Sequence, residues 1–157
     1  LGLVFCRNIK ENISLSSLDK ISKFSFIEKK KEKQITQTYF DKMGVKAPSI
    51  NYHAGTLSGG NQQKVVLGKC LMTDAKVLIL DEPTRGIDVG AKWEIYKLMV
   101  EQARKGMGII MISSELPEFI GMCDRAYIMN GGKITGELNR SELTQENVVR
   151  LAAGGKK

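Results

Sequence analysis

Two short apolar runs, Val77-Leu78-Ile79-Leu80 and Gly108-Ile109-Ile110-Met111-Ile112, set the limits on what this chain can fold into. Neither alternates apolar with polar residues, so each predicts a strand buried on both faces. Between them, Val89 to Arg104 has a helical period and is stopped by Lys105-Gly106. A second helix, around Leu116 to Gly121, leads to a third apolar stretch, Arg125 to Met129, and Asn130-Gly131-Gly132 turns that stretch into Lys133 to Glu137 as a hairpin. Strand, helix, strand, helix, strand predicts a mainly parallel α/β sheet with flanking helices and a terminal antiparallel hairpin. Ser141 to Ala153 predicts a capped helix, with Gly154 to Lys157 as a tail.

The preceding residues have another rhythm. From Asn8 to about Ala47 apolar residues recur at three- and four-residue spacings, including Ile21, Phe24 and Ile27, and predict two or three short helices, the last ending near Gly44. Pro48 to Thr56 reads as a loop. A helix is expected from Gly60 to about Met72, with Val65, Val66, Lys69 and Cys70 on one face and the Ser58 side chain capping its start. The chain thus divides into a helical part, 1–73, and an α/β part, 74–157.

Composition narrows the function classes. The 157 residues are 42% hydrophobic, enough for a core, and no apolar run approaches the roughly 20 residues needed to span a bilayer. Lys and Arg number 24 against 17 Asp and Glu, and residues 1–60 hold 10 of the former and 5 of the latter. Lys29-Lys30-Lys31-Glu32-Lys33 lacks the interleaved aromatics of a nucleic-acid surface and reads as a solvated helix face or loop. Cys6, Cys70 and Cys123 have no paired spacing, which favours a reducing compartment over a disulfide or zinc framework. The methionines, and Trp93 and Tyr96, are expected to pack rather than bind a ligand, and the lone His53 to be a loop residue.

The first apolar run ends in Asp81-Glu82-Pro83-Thr84, where open α/β sheets bind ligands. An apolar strand ending in Asp commonly presents its carboxylate to a phosphate-bound Mg²⁺, and the next carboxylate, Glu82, can then polarise a water. The same pair also suits a plain exit from the sheet. Upstream, Ser58-Gly59-Gly60-Asn61 opens a helix with two glycines, so backbone N–H groups and the helix dipole can approach an anion. An ordinary helix cap explains those residues equally well.

The combination resembles a known family. Leu57-Ser58-Gly59-Gly60-Asn61-Gln62-Gln63 is similar to the signature sequence of ATP-binding cassette (ABC) ATPases, Val77 to Asp81 to their Walker B strand, and Glu82 to their catalytic glutamate. Arg85-Gly86-Ile87-Asp88 occupies the place of the D-loop. The wording Asp81 to Lys92, with Ser113-Ser114-Glu115-Leu116-Pro117-Glu118, resembles the second cassette of bacterial monosaccharide importers of the ribose, galactose and xylose type. No G-x-x-x-x-G-K-[ST] phosphate loop occurs, and residue 1 is Leu, so the sequence is expected to be the C-terminal part of a P-loop NTPase-like cassette. Ser114 stands where the family usually has its switch histidine; a serine can still donate a hydrogen bond but carries no charge.

The resemblance implies roles. Two cassettes pack head to tail, so Ser58, Gly59, Gly60 and Asn61 would meet ATP held by the partner cassette. Asp81 would handle Mg²⁺, Glu82 and Ser114 would serve this cassette's own site, and Asp88 would bridge the two sites. The implied partners are a second cassette, membrane permease subunits and, indirectly, a periplasmic or extracellular sugar-binding protein, with no nucleic acid. The implied location is the cytoplasmic face of the cell membrane. Two other readings are a folded piece that binds no ATP alone and a DNA-repair or chromosome-type ABC ATPase; the latter's long coiled coils have no counterpart here.

Overall fold

The computed structural model describes residues 2–155, which form two compact units dividing between Met111 and Ile112. Among the described residues, no helix is long and apolar enough to cross a membrane.

The first unit opens with α1 (Ile9–Ser14). Asn8 starts it because its side chain accepts from Glu11 N at 2.8 Å while the Glu11 carboxylate accepts from Asn8 N, a reciprocal capping box. α2 (Lys29–Lys42) follows, and Gly44 at φ +58° ends it, as expected of a residue without a Cβ. The buried Glu32 ties these helices together, accepting from Ser14 Oγ at 2.9 Å and pairing with Lys10 at 3.0 Å. α3 (Gly59–Leu71) packs against both, with Gly68 set close to Met43 and Ile13.

Between α1 and α2 the structure departs from the helical expectation. Ser22–Lys23 (β1) and Phe26–Ile27 (β2) form a hairpin, with Phe24 and Ser25 at φ +49° and +67° as its two turn residues. The Ile21, Phe24, Ile27 spacing imitates a helix, yet only Ile21 is buried and Phe24 is 87% exposed.

The strand β3 (Val77–Asp81), the helix α4 (Val89–Arg104) and the strand β4 (Gly108–Ile112) lie where the sequence places them. β3 and β4 pair, and the bond from Gly108 N to Lys76 O joins their starts, so they run in the same direction. The expectation of burial on both faces fails. Leu78 and Leu80 are buried, whereas Val77, Ile79, Ile110 and Ile112 are each more than half exposed, because only one face of this two-stranded sheet is packed. The α3 face is shifted from expectation: Val65 is buried as expected, together with Gly60, Gln63, Lys64, Leu67, Gly68 and Leu71, whereas Val66, Lys69 and Cys70 are only partly buried. Trp93 is 61% exposed beside the Lys97 ammonium rather than packed in the core.

In the second unit, α5 (Leu116–Met122) precedes β5 (Arg125–Asn130) and β6 (Lys133–Asn139). β5 pairs with β6, antiparallel, around Gly131 and Gly132, both at positive φ. The expected C-terminal helix is shorter, α6 (Gln145–Ala152), because Thr144 caps it by accepting from Asn147 N, and Arg140–Glu142 forms a separate 3₁₀ turn. Ala126, Ile128, Leu138, Leu143, Val148 and Leu151 make this unit's own core.

Candidate functional site

Two loops of the first unit carry the candidate chemistry, and both are helix starts. Ser58 precedes α3 in an extended conformation, and the first helical bond runs from Gln62 N to Ser58 O, which leaves the N–H groups of Gly59, Gly60 and Asn61 outside the helix's own ladder. The expected side-chain cap is absent. Ser58 Oγ instead accepts from Asn61 Nδ2 at 2.9 Å, and Asn61 Oδ1 accepts from Lys46 N at 2.8 Å. Asn61 therefore acts as a brace for the loop, fixing the Ser58 hydroxyl at the helix mouth.

The two glycines differ in what they face. Gly59 is exposed, and a Cβ there would meet nothing closer than 3.9 Å. Gly60 is buried, and a Cβ there would stand 2.5 Å from Ala91 Cβ, so packing against α4 is what demands a glycine at 60.

β3 ends in Asp81, exposed, and the chain turns at once through Glu82 at φ +46°. A glutamate in the left-handed region is strained, and such residues gather at functional sites. The turn is closed by bonds from Arg85 N to Glu82 O and from Ile87 N to Thr84 O, with Pro83 and Thr84 buried and Gly86 at φ +73°. Asp88 ends the turn as the cap of α4, accepting from Ala91 N at 2.9 Å. The structure thus sets the start of α3 against the later part of this turn, with Gly59 facing Gly86 O and Ile87, and Gly60 facing Ile87 and Ala91. Ser114 lies in the second unit, exposed in the bend between β4 and α5, where Ser113 Oγ accepts from Glu115 N at 3.0 Å.

Beneath the loops sits a charge cluster that the sequence pattern did not disclose. The ammonium of Lys64, on α3, is buried and donates to Gly44 O at 2.9 Å and to the Glu94 carboxylate, on α4, at 2.7 Å; Lys46 reaches the same carboxylate at 3.3 Å. Hydrogen bonds from Lys64 and then Lys46 hold the Glu94 carboxyl below its ordinary range. Burial pushes the Cys70 and Cys123 thiols up, which disfavours thiolate chemistry at either. His53 is a loop residue, bridged to Asn8.

A family model described as "ABC transporter" matches residues 5–85, half of the chain. The chain belongs to the ABC transporter family. It is 55% identical over 98% of its length to a Rhizobium etli protein named as a ribose/galactose/methyl galactoside import ATP-binding protein, of which it covers 29%. It is 51% identical over 99% of its length to a xylose import ATP-binding protein of Thermoanaerobacter pseudethanolicus, of which it covers 31%. The chain therefore spans about 30% of the length of these relatives. Its fold is that of the ABC cassettes: a nucleotide-free ATP-binding cassette superposes with a TM-score of 0.78 at 21% identity, covering 96% of this chain and 66% of that one. A dimeric cassette bound to ADP and phosphate gives 0.74 at 17% identity, over 88% and 59%.

Proposed function

We propose that this chain supplies the signature loop and the catalytic strand end of an ATPase subunit that drives monosaccharide uptake. The single observation that carries this reading is the contact of Gly59 and Gly60 with Gly86 and Ile87, in the turn that links Asp81 to Asp88, in a chain about 50% identical to sugar-import ATP-binding proteins.

The chemistry follows from the loops. Ser58 Oγ and the free N–H groups of Gly59 and Gly60 form an anion-binding mouth suited to the γ-phosphate of ATP held by a second cassette. Mg²⁺ is ordinarily held by one or two carboxylates plus phosphates and water, which the exposed Asp81 fits. Among the described residues there is no cluster of three or more metal-ligating side chains, so the phosphates and water would supply most of the coordination. When bound, the metal offsets charge on the phosphates. Glu82, held by its strained turn next to Asp81, orients the attacking water; Ser114, in the second unit, keeps a hydroxyl able to donate a hydrogen bond. Asp88 holds α4 in place and faces the second cassette.

The partners are that second cassette and membrane permease subunits, with a sugar-binding protein acting on the far side, and the location is the cytoplasmic face of the membrane. Support for a permease contact comes from the β1–β2 tip, where Phe24 and Phe26 are 87% and 79% exposed beside the exposed Lys23, Lys29 and Lys30. An exposed aromatic tip with the Lys23 ammonium over the Phe24 ring suits an apolar segment with acidic neighbours.

Uptake of labelled ribose, xylose and galactose by cells carrying the full-length protein, wild-type or Glu82→Gln, tests the reading. The expected result is loss of uptake of at least one of these sugars in the variant. Uptake of all three at the wild-type rate contradicts it.

A further inference from the structure

The two functional loops are the first turns of two helices that touch at those turns. Gly60 lies in the first turn of α3 and Ala91 in the first turn of α4, and a Cβ at position 60 would come within 2.5 Å of Ala91 Cβ and 3.5 Å of Ile87 Cγ2. Carbon atoms pack at about 3.5–4.0 Å, so the helix starts are as close as a single methyl allows. One turn further along, Lys64 bonds Glu94 at 2.7 Å and forms a second rung between the same helices. Ala91 also serves the other loop: its backbone N–H is the donor that the Asp88 carboxylate accepts at 2.9 Å. One residue therefore seats the signature loop with its side chain and the D-loop aspartate with its backbone.

We propose that Ala91 is a positioning residue that fixes the spacing between the Ser58–Gly60 loop and Asp88, so that displacement of either loop moves the other. The proposal rests on the reading of Ser58 to Gly60 as the loop that meets nucleotide. Ala91 touches no nucleotide in this scheme; it acts through Gly60 and Asp88. A larger side chain at 91 would lift the first turn of α3 away from α4, and a misplacement of about 1 Å can cost up to about 100-fold in turnover.

The test uses the full-length protein assembled with its membrane subunits. Ala91→Val is compared with Ala103→Val, a matched change at an exposed site near the other end of the same helix. The expected result is a fall in kcat of about tenfold or more for Ala91→Val with KM for ATP within about twofold of wild type, and no change for Ala103→Val. A second arm exchanges the methyl across the gap. Gly60→Ala alone should lose about tenfold or more in kcat, and Gly60→Ala combined with Ala91→Gly should recover most of it, because the nearest neighbours of the new Cβ are then Ile87 at 3.5 Å and the residue 91 Cα at 3.8 Å. If Ala91→Val fails to fold, the exchange decides alone. Ala91→Val turning over like Ala103→Val, or an exchange no faster than Gly60→Ala, overturns the proposal. Failure of the underlying reading shows differently, as unchanged turnover in Ser58→Arg, which fills the mouth of α3.

Discussion

Glu82 shows how much of a site hides in one dihedral angle. Its identity and its place after Asp81 mark it in the sequence as a carboxylate at a strand end, but the left-handed backbone at φ +46° is invisible there, since nothing in the residue type asks for it. The cost is measurable with two variants that both remove the carboxylate. Glu82→Gly should be more stable than Glu82→Ala by about 1 kcal/mol in denaturant unfolding, because only glycine takes that conformation freely. Equal stabilities would show that the turn holds no strain. Glu94 gives the pH counterpart. Its carboxyl is held below the ordinary range by Lys64 and Lys46, so the charged form favours the folded state. The corresponding stability is fully present above the unfolded carboxylate pKa of about 4.3 and is lost as pH falls through the lower folded value. Glu94→Gln should therefore be less stable than wild type at pH 7, and the gap should close as the pH drops below about 4. Unfolding midpoints measured across that range check the sign, and a gap independent of pH would contradict it.

At the scale of elements, legibility followed the strength of local signals. The bounds of α4, β3 and β4 were readable because the continuous apolar runs, the helical period between them and the Lys105-Gly106 stop all point one way. The Asn130-Gly131-Gly132 hairpin was readable for the same reason. The β1–β2 hairpin was not, because its turn residues are Phe24 and Ser25, neither of which signals a positive φ. Nor was the contact of α3 with α4, since a glycine needed for phosphate approach and one needed for helix packing look alike in a sequence. The hairpin makes a prediction of its own. Phe24→Asn with Ser25→Gly installs the residues that such a turn prefers and should raise the melting temperature by a few degrees, about 1 kcal/mol in a domain of this size. The same pair removes an exposed aromatic, so co-purification with the membrane subunits should weaken. A more stable protein that binds them as before would separate the hairpin from docking.

For the whole molecule, sequence and comparison carry different parts of the account. The class, a helical part followed by an α/β part with a terminal hairpin, and the family were both legible, because signature, strand end and D-loop occur in one order at fixed spacing. The exposed face of the β3–β4 sheet was not, because an unbroken apolar run reports hydrophobicity and not what covers it. The chain contains no G-x-x-x-x-G-K-[ST] phosphate loop and spans about 30% of the relatives' length, so its 157 residues alone should show no micromolar binding when titrated with Mg-ATP. The central claim is that the end of β3 is a hydrolytic centre, and it is tested most directly by the steady-state ATPase rate of the full-length protein with its membrane subunits and the other nucleotide site disabled. Glu82→Gln should lower that rate by about 100-fold with ATP binding retained. Hydrolysis at the wild-type rate in the variant would contradict the account.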